Sequence, residues 1–144
     1  MSKQTKMTPV LKEKDIKRNW HLVDLKNKIL GRAVSDIAII LQGKNKRDYS
    51  PNLDCGDYVV AVNSKKIKIS GKKADSKMYT SYSGYPGGLK IRKFNEIKTV
   101  NPNYIIKHAV NGMLPKNKLA KKRISRLYIF EDEKHNFAEK FNSK

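Results

Sequence analysis

Acidic residues, cysteine and long apolar runs are all scarce in this sequence, and each shortage excludes a class of protein. Only 13 Asp and Glu residues stand against 32 Lys and Arg in 144 residues, which gives a net charge of +19. The single Cys55 has no intramolecular disulfide partner, which fits a reducing compartment such as the cytoplasm. No run approaches the ~18 apolar residues of a membrane span, so we expect no transmembrane role, while an anionic membrane surface stays open beside nucleic acid as a partner.

The excess of positive charge points to a polyanionic partner, because so many like charges repel one another unless phosphates neutralise them. Residues 64–93 hold nine Lys or Arg and one acid, and residues 107–126 hold seven and none. Residues 127–144 instead carry a net charge of −1. We therefore expect nucleic acid to contact the first two segments, while the acidic end points away from it.

The length suits one domain that can bury a sizeable core without disulfides or metals. We expect residues 1–14 to form a basic N-terminal arm, 15–132 a single α/β domain and 133–144 a C-terminal tail. The first 20 residues contain no apolar signal segment, and Glu13 and Asp15 are atypical of an organellar presequence. The sequence thus predicts no targeting segment.

Alternating strand and helix patterns predict a parallel sheet. The aromatic and β-branched residues of Trp20–Asp24 favour a strand, and apolar residues spaced three and four apart from Gly31 to Gly43 favour a helix. The almost wholly apolar run Tyr58–Val62 is typical of a strand covered on both faces. Strand, helix and strand in this order predict a crossover that joins two parallel strands.

Five further elements are predicted downstream. Residues 67–70 alternate as a half-buried strand, and residues 78–92 combine tyrosines with glycines as extended segments around a turn. Asn101 and Pro102 supply an N-cap and a first helical residue for an amphipathic helix that ends near residue 115. Residues 119–126 favour a short basic helix, and residues 127–130 a last strand.

Residues with catalytic or metal-binding chemistry are few. His21, Cys55 and His108 are far apart and show no zinc-type spacing, so packing or surface roles are favoured for them. The glycine-rich segment 84–88 contains neither the dinucleotide fingerprint nor the phosphate-loop pattern. We therefore expect no cofactor, no metal and no small-molecule substrate.

Two aspartates form the best enzymatic alternative. Asp54 and Asp57, with Asp24 at a strand end, could hold Mg²⁺ in a nuclease that works on RNA. The same Asp-Cys-Gly-Asp spacing just before a strand also suits a turn, since Asp side chains bond to backbone and Gly56 is permissive. The turn is the favoured interpretation.

Tyrosines and basic clusters carry the nucleic-acid hypothesis. Tyr79, Tyr82 and Tyr85 could stack on unpaired bases or pack in a hairpin core, and Tyr85 beside the glycines is the one that we expect to touch RNA. Basic residues concentrate at 43–47, 65–66, 71–73 and 116–126, without neighbouring carboxylates. No recognition helix, zinc finger or basic zipper is present, so folded RNA is favoured over DNA.

Eight short motifs span nearly the whole chain: WHLVD at 20–24, LGR at 30–32, GKNK at 43–46, YSP at 49–51, DCGD at 54–57, GKK at 71–73, SGYPGGLK at 83–90 and GMLPKN at 112–117. In content and order they resemble the motifs of one family, the bacterial and organellar form of ribosomal protein L13. Each motif is weak alone, but eight in one order are specific.

The resemblance implies a three-layer α/β/α fold with a small, mostly parallel sheet. It also implies a structural, non-catalytic place on large-subunit (23S-type) rRNA beside neighbouring ribosomal proteins, with a part in early subunit assembly. The expected setting is a cytoplasmic or organellar ribosome, with no membrane partner and no homo-oligomer. The RNA contacts that it carries over are Arg32, Lys44, Lys46, Arg47, Lys72, Lys73, Tyr85, Gly87, Gly88, Lys90, Lys116 and Lys118. The charge pattern adds Lys121, Lys122, Arg123 and Arg126.

The chain departs from the family pattern in two places that affect its surface. Tyr82 stands where the family usually has His, so stacking replaces any imidazole contact. After residue 130 the family's Gly and His-Pro-His are missing, which leaves the docking of the C-terminus open. A free RNA-binding translational regulator stays open as a third function, since no residue in the sequence separates it from a ribosomal component.

Overall fold

Three parallel strands form the centre of the protein, whose computed structural model describes residues 12–142. They are β1 (Trp20–Asp24), β2 (Tyr58–Val62) and β5 (Leu127–Ile129), in the order β1-β2-β5. The central strand β2 is also the most apolar, and four of its five residues are buried, as a strand covered on both faces requires. The three predicted strands are confirmed, the last one ending a residue earlier than expected.

Two amphipathic helices cover one face of this sheet. In α1 (Leu30–Gln42) and α4 (Pro102–Met113) the buried residues recur three and four apart, and the two helices pack on each other. Helix α1 ends at Gly43, whose φ of 77° is the left-handed conformation that favours glycine, and its N–H donates to the carbonyls of Ile39 and Ile40. The Asn101 side chain caps α4 by accepting from the Tyr104 N–H, as predicted.

The C-terminal segment covers the opposite face. Side chains alternate along a strand, so Trp20, Tyr58 and Tyr128 share the face turned away from α1. Trp20 stacks on Tyr58 at 4.4 Å between ring centroids and on Phe137 at 5.2 Å, and Phe141 of the last helix, α6 (Ala138–Asn142), meets its edge at 6.5 Å. The protein thus has three layers: α1 and α4, the parallel sheet, and the C-terminal segment with α6. This confirms the predicted three-layer α/β/α fold.

The predicted arm and tail lie at the limits of the described chain. Residues 1–11 of the arm and residues 143–144 of the tail fall outside the described range. Within that range, residues 13–15 form a short 3-10 helix, and the segment after residue 132 docks on the sheet through its aromatic rings. No helix between residues 12 and 142 is long and apolar enough to cross a membrane.

An antiparallel hairpin stands apart from the parallel sheet. Its strands β3 (Met78–Tyr82) and β4 (Leu89–Lys93) flank the glycine-rich turn, confirming the extended segments predicted there. The short helix α2 (Lys73–Ser76) precedes it, and α3 (Phe94–Val100), which the sequence analysis did not predict, follows it and inserts Phe94 and Ile97 into the core. The last basic element, α5 (Leu119–Ile124), is helical as expected.

The predicted strand at residues 67–70 is wrong. A 3-10 helix (Ser64–Lys66) precedes it, and only Lys68 pairs with a neighbour, in an isolated bridge to Ile29. The alternation is real, because Ile67 is fully buried and Ile69 packs against the core. It does not extend into a strand because the segment that pairs with it enters helix α1 directly after Ile29.

Candidate nucleic-acid interface

Most of the predicted contacts are cations that the structure leaves exposed. No ion pair joins any of these exposed side chains to a carboxylate within residues 12–142. They come from α1, the loop after it, α2, β4, the loop before α5 and α5 itself: Arg32, Lys44, Arg47, Lys72, Lys73, Lys90, Lys116, Lys118, Lys121 and Lys122. Unpaired, solvated cations are the groups that release counterions when phosphates replace them.

Lys46 differs from the other predicted lysine contacts because its ammonium group pairs with a buried carboxylate while part of the side chain stays exposed. Its Nζ lies 2.5 Å from Oδ1 of the buried Asp57 and donates to the Lys17 carbonyl at 2.6 Å. The side chain is only partly exposed. Its first role is therefore to compensate the buried carboxylate, although it remains at the edge of the loop that presents Lys44 and Arg47.

The predicted RNA contacts of Arg123 and Arg126 require correction, because both side chains are buried. The Arg126 guanidinium binds both oxygens of Asp54, with Nη2 2.6 Å from Oδ1, and also donates to the Leu41 carbonyl at 3.3 Å. Arg123 is 1% exposed, and its Nε lies 3.7 Å from the same carboxylate. These two arginines stabilise the interior, while Lys121 and Lys122 of the same basic segment face solvent.

Asp54 and Asp57 form neither a free Mg²⁺ site nor a local turn held by their side chains, the two interpretations that the sequence offered; instead they pair with cations inside the fold. Asp54 is held by Arg126, by Arg123 and by Arg18, whose Nη1 lies 3.6 Å away. Asp57 accepts from the Asn19 N–H at 3.0 Å and lies 2.9 Å from His21 Nε2, besides its pair with Lys46. Each carboxylate already serves cations of the protein, and within residues 12–142 no group of three His, Cys, Asp or Glu could hold a metal.

The same contacts set the ionisation of both carboxyls. Burial by itself would raise the pKa of Asp54, but the hydrogen bonds and the charge of Arg126 outweigh burial and lower it below 3.8. The pKa of Asp57 is lowered in the same way, with burial opposed by Lys46, the Asn19 N–H and His21. Both groups are therefore ionised in the folded protein at neutral pH.

We expect the fold to lose stability in acid because of these two groups. A carboxyl whose pKa is lowered on folding stabilises the protein above its unfolded pKa of ~3.9 and loses that contribution as the pH falls through the folded pKa. Denaturant unfolding at constant salt should thus give a constant free energy near neutrality and a steep fall below about pH 4. A free energy of unfolding that stayed unchanged down to pH 2 would contradict the buried, ion-paired state of Asp54 and Asp57.

The three tyrosines divide between the two roles that the sequence left open. Tyr79 is 7% exposed and packs in the core, whereas Tyr82 and Tyr85 are 66% and 74% exposed. Tyr85 lies at the tip of the hairpin, where the predicted contacts Gly87, with a φ of 72°, and Gly88 hold the chain in a tight turn. The turn presents backbone and an aromatic ring to solvent, as a stacking contact with RNA requires.

Sequence reasoning missed a cleft between the hairpin and helices α3 and α4. It has a volume of about 710 Å³, and its lining includes Lys90, Arg92 and Tyr104. Only Lys90 was predicted as a contact. The alternation of β4 could have placed Lys90 and Arg92 on one face, but nothing in the sequence indicated that α3 would close the other side.

Comparison with known proteins agrees with the motifs. The profile of the family described as ribosomal protein L13 matches residues 18–136. The large ribosomal subunit protein uL13 of Syntrophotalea carbinolica is 46% identical over 128 residues, 89% of this chain and 90% of that protein. The uL13 proteins of Prochlorococcus marinus and Caldanaerobacter subterraneus are 46% and 44% identical over 90% and 86% of this chain, and over 89% and 87% of their own lengths. The chain therefore belongs to the ribosomal protein L13 family.

Proposed function

We propose that this chain is a structural constituent of the large ribosomal subunit, where it binds the large-subunit rRNA and takes part in early assembly. The observation that carries the proposal is the set of ten exposed cations without carboxylate partners in the described chain. The names of its relatives, large ribosomal subunit protein uL13, supply the particle in which such cations meet RNA. The expected surroundings are that rRNA and neighbouring ribosomal proteins.

A rigid frame with cationic loops suits this function. The sheet, α1 and α4 form one core, and most of the exposed predicted contacts project from it in the segments 43–50, 71–93 and 115–126, which combine loops with the hairpin and short helices. Because the frame is ordered before binding, little conformational entropy is lost in the protein when phosphates are engaged. Phosphate contacts of this kind position a protein on folded RNA, while exposed rings and backbone read its shape.

The family is one of structural ribosomal proteins, not of enzymes. This confirms the expectation that the chain is not an enzyme, and the occupied carboxylates of Asp54 and Asp57 agree with it. A nuclease would need those oxygens free for metal ions and a phosphate. The nuclease alternative is therefore set aside, and the free translational regulator stays the alternative to a ribosomal component.

Sedimentation of a cell extract through a sucrose gradient tests the proposal directly. At near-physiological salt, the chain, quantified by mass spectrometry, should follow the large subunit in equal amount with other large-subunit proteins. It should remain there after a moderate salt wash, as expected of a component held between the rRNA and neighbouring ribosomal proteins. Detection near the top of the gradient, away from subunits, would overturn the ribosomal proposal and favour the free regulator.

Reversing the charge of Lys72 and Lys73 should weaken rRNA binding without unfolding the domain. Both side chains are exposed at the start of the short helix α2, and neither has a carboxylate partner in the described chain. We expect Lys72→Glu with Lys73→Glu to raise the Kd on the order of tenfold or more and to reduce the slope of log Kd against log salt by ~2. Filter binding to a large-subunit rRNA transcript measures both quantities.

Lys134→Glu with Lys140→Glu provides the matched control, because it reverses two exposed lysines in the acidic C-terminal segment. This variant should leave the Kd nearly unchanged. Circular dichroism of the Lys72 and Lys73 double variant should match the wild-type spectrum. If the Lys72 and Lys73 double variant is unfolded, or if the control variant loses as much affinity for rRNA, the loss of binding does not come from a local contact at α2.

A further inference from the structure

The cleft between the hairpin and helices α3 and α4 combines an aromatic floor with a charged rim. Its volume of about 710 Å³ lies within the range of small-ligand sites and is ample for one nucleotide. Tyr79 and Tyr104 supply the aromatic surfaces, and Ile97 and Val100 of α3 extend the apolar wall. Folding alone gives no reason to keep so large an apolar and aromatic recess open to water.

Tyr79 is the unusual residue of this cleft. Its ring meets the edges of Tyr104 at 6.2 Å and His108 at 5.4 Å, and Lys77 Nζ lies 5.5 Å above it. Its hydroxyl is buried and has no hydrogen-bond partner among residues 12–142, an arrangement that native proteins rarely leave uncompensated. Burial, with a smaller effect of Tyr104, raises the pKa of the phenol, so the hydroxyl keeps its proton and can donate it.

The strand register brings two cations to the same side of the hairpin as Tyr79. Ser81 pairs with Lys90 and Tyr79 with Arg92 across the strands, so all four side chains share one face. Both cations are exposed, and neither is ion-paired to a carboxylate within residues 12–142. Both line the cleft and are open to solvent, so a phosphate joined to a group inside the cleft can reach them.

We propose that this cleft receives one unpaired nucleotide of the rRNA, its base stacked on Tyr104 and its phosphates held by Lys90 and Arg92, and that a small shift of the Tyr79 ring on binding brings the buried hydroxyl into a hydrogen bond with the base. The inference rests on the proposed function and deepens it, since it adds a base-binding site to a surface that otherwise binds phosphates. Tyr104 is 43% exposed, which leaves much of its ring open to such a base.

The charge of the lining favours a nucleotide over an acidic protein segment. Glu96 also lines the cleft, and its Oε2 accepts from the Lys93 N–H at 3.3 Å in a cap of α3. A carboxylate there repels acidic side chains but can accept from the amino group of a base. A nucleotide offers both an amino edge for Glu96 and a phosphate for the two cations.

Two variants test the site with matched controls. Tyr79→Phe removes only the buried hydroxyl, and Tyr104→Ala removes the exposed ring. Against a transcript of the complete large-subunit rRNA, we expect Tyr79→Phe to raise the Kd about threefold to tenfold and Tyr104→Ala roughly five- to 150-fold. Tyr128→Phe, which removes the hydroxyl of a tyrosine on the sheet face covered by the C-terminal segment, should leave the Kd unchanged.

Base-specific chemical probing supplies the decisive readout. A base protected by the wild-type protein should become reactive with both cleft variants, while hydroxyl-radical protection of the backbone elsewhere persists. Tyr79→Phe should unfold at the wild-type temperature or above it, because it removes a buried hydroxyl without a partner. That result separates lost binding from lost folding even if Tyr104→Ala unfolds.

The outcomes separate this inference from the proposed function. Base protections that are identical for the wild type and both variants would overturn the base site while leaving rRNA binding intact. If the base protections are identical and the variants instead fail to retain a neighbouring protein in reconstituted subunits, the cleft binds a protein. That result would also overturn the base site. No protection of rRNA by the wild-type chain would overturn the proposed function itself, and the base site with it.

Discussion

Replacing Asp54 with alanine should lower the free energy of unfolding by about 3–5 kcal/mol, because it leaves buried arginines without their counter-ion. Asp54 is 8% exposed and accepts the guanidinium of Arg126 in a two-point contact, with Arg123 and Arg18 also within ion-pair distance. Removal of the carboxylate leaves two buried positive charges close together. Urea unfolding followed by circular dichroism measures the loss.

Asp132→Ala is the matched control for a surface ion pair. Asp132 is exposed and lies 3.9 Å from the exposed Lys65, so its removal should change the free energy of unfolding by only ~0–1 kcal/mol. Arg123→Met in the Asp54→Ala background should recover part of the loss, since Nε and Nη2 of Arg123 have no hydrogen-bond partner in the part of the native chain that the structure describes. Equal losses for Asp54→Ala and Asp132→Ala would contradict the buried network.

Periodicity was enough to predict the elements that build the core. In α1 the apolar residues fall three and four apart, and in β2 they form an unbroken run, so each sequence admits essentially one buried arrangement. Asn101 followed by Pro102 gave the start of α4 from cap chemistry alone. These features are local, and local patterns can be read without knowing what packs against them.

The elements that were missed depend on contacts distant in sequence. Helix α3 has only seven residues, and what holds it is the packing of Phe94 and Ile97 into a core built by other segments. The alternation at residues 67–70 resembles a strand, but its neighbour offers a single residue for pairing at Ile29. The acidic C-terminal segment was predicted to be a tail, but the rings of Phe137 and Phe141 pack against Trp20 of β1.

The same limit explains which predicted contacts were misplaced. Counting charge in residues 107–126 cannot distinguish Lys121 and Lys122, which face solvent, from Arg123 and Arg126, which face Asp54. The two arginines are three positions apart, the spacing of one helix face, and that spacing was available in the sequence. What the sequence did not indicate was that a carboxylate 69 and 72 positions away lay opposite them.

The largest effect that we expect is on RNA affinity, as a function of salt. If the exposed cations neutralise on the order of 6–10 phosphates, the Kd for large-subunit rRNA should rise by ~10³–10⁵ between 50 and 200 mM monovalent salt, somewhat less on single-stranded segments. The buried Arg123 and Arg126 should contribute nothing to this release, because both are paired with Asp54 inside the fold. Filter binding at constant Mg²⁺ across that range measures the slope.

The slope of log Kd against log salt also distinguishes the exposed lysines of the basic segment 116–126 from its buried arginines. Lys121→Gln with Lys122→Gln should reduce the slope of log Kd against log salt by ~2, because two exposed cations no longer release counterions on binding. Arg123→Met should leave the slope unchanged even where it alters stability, since its guanidinium is paired inside the fold. A salt-independent Kd would contradict phosphate binding by the exposed cations, and a reduced slope for Arg123→Met would place that side chain at the RNA after all.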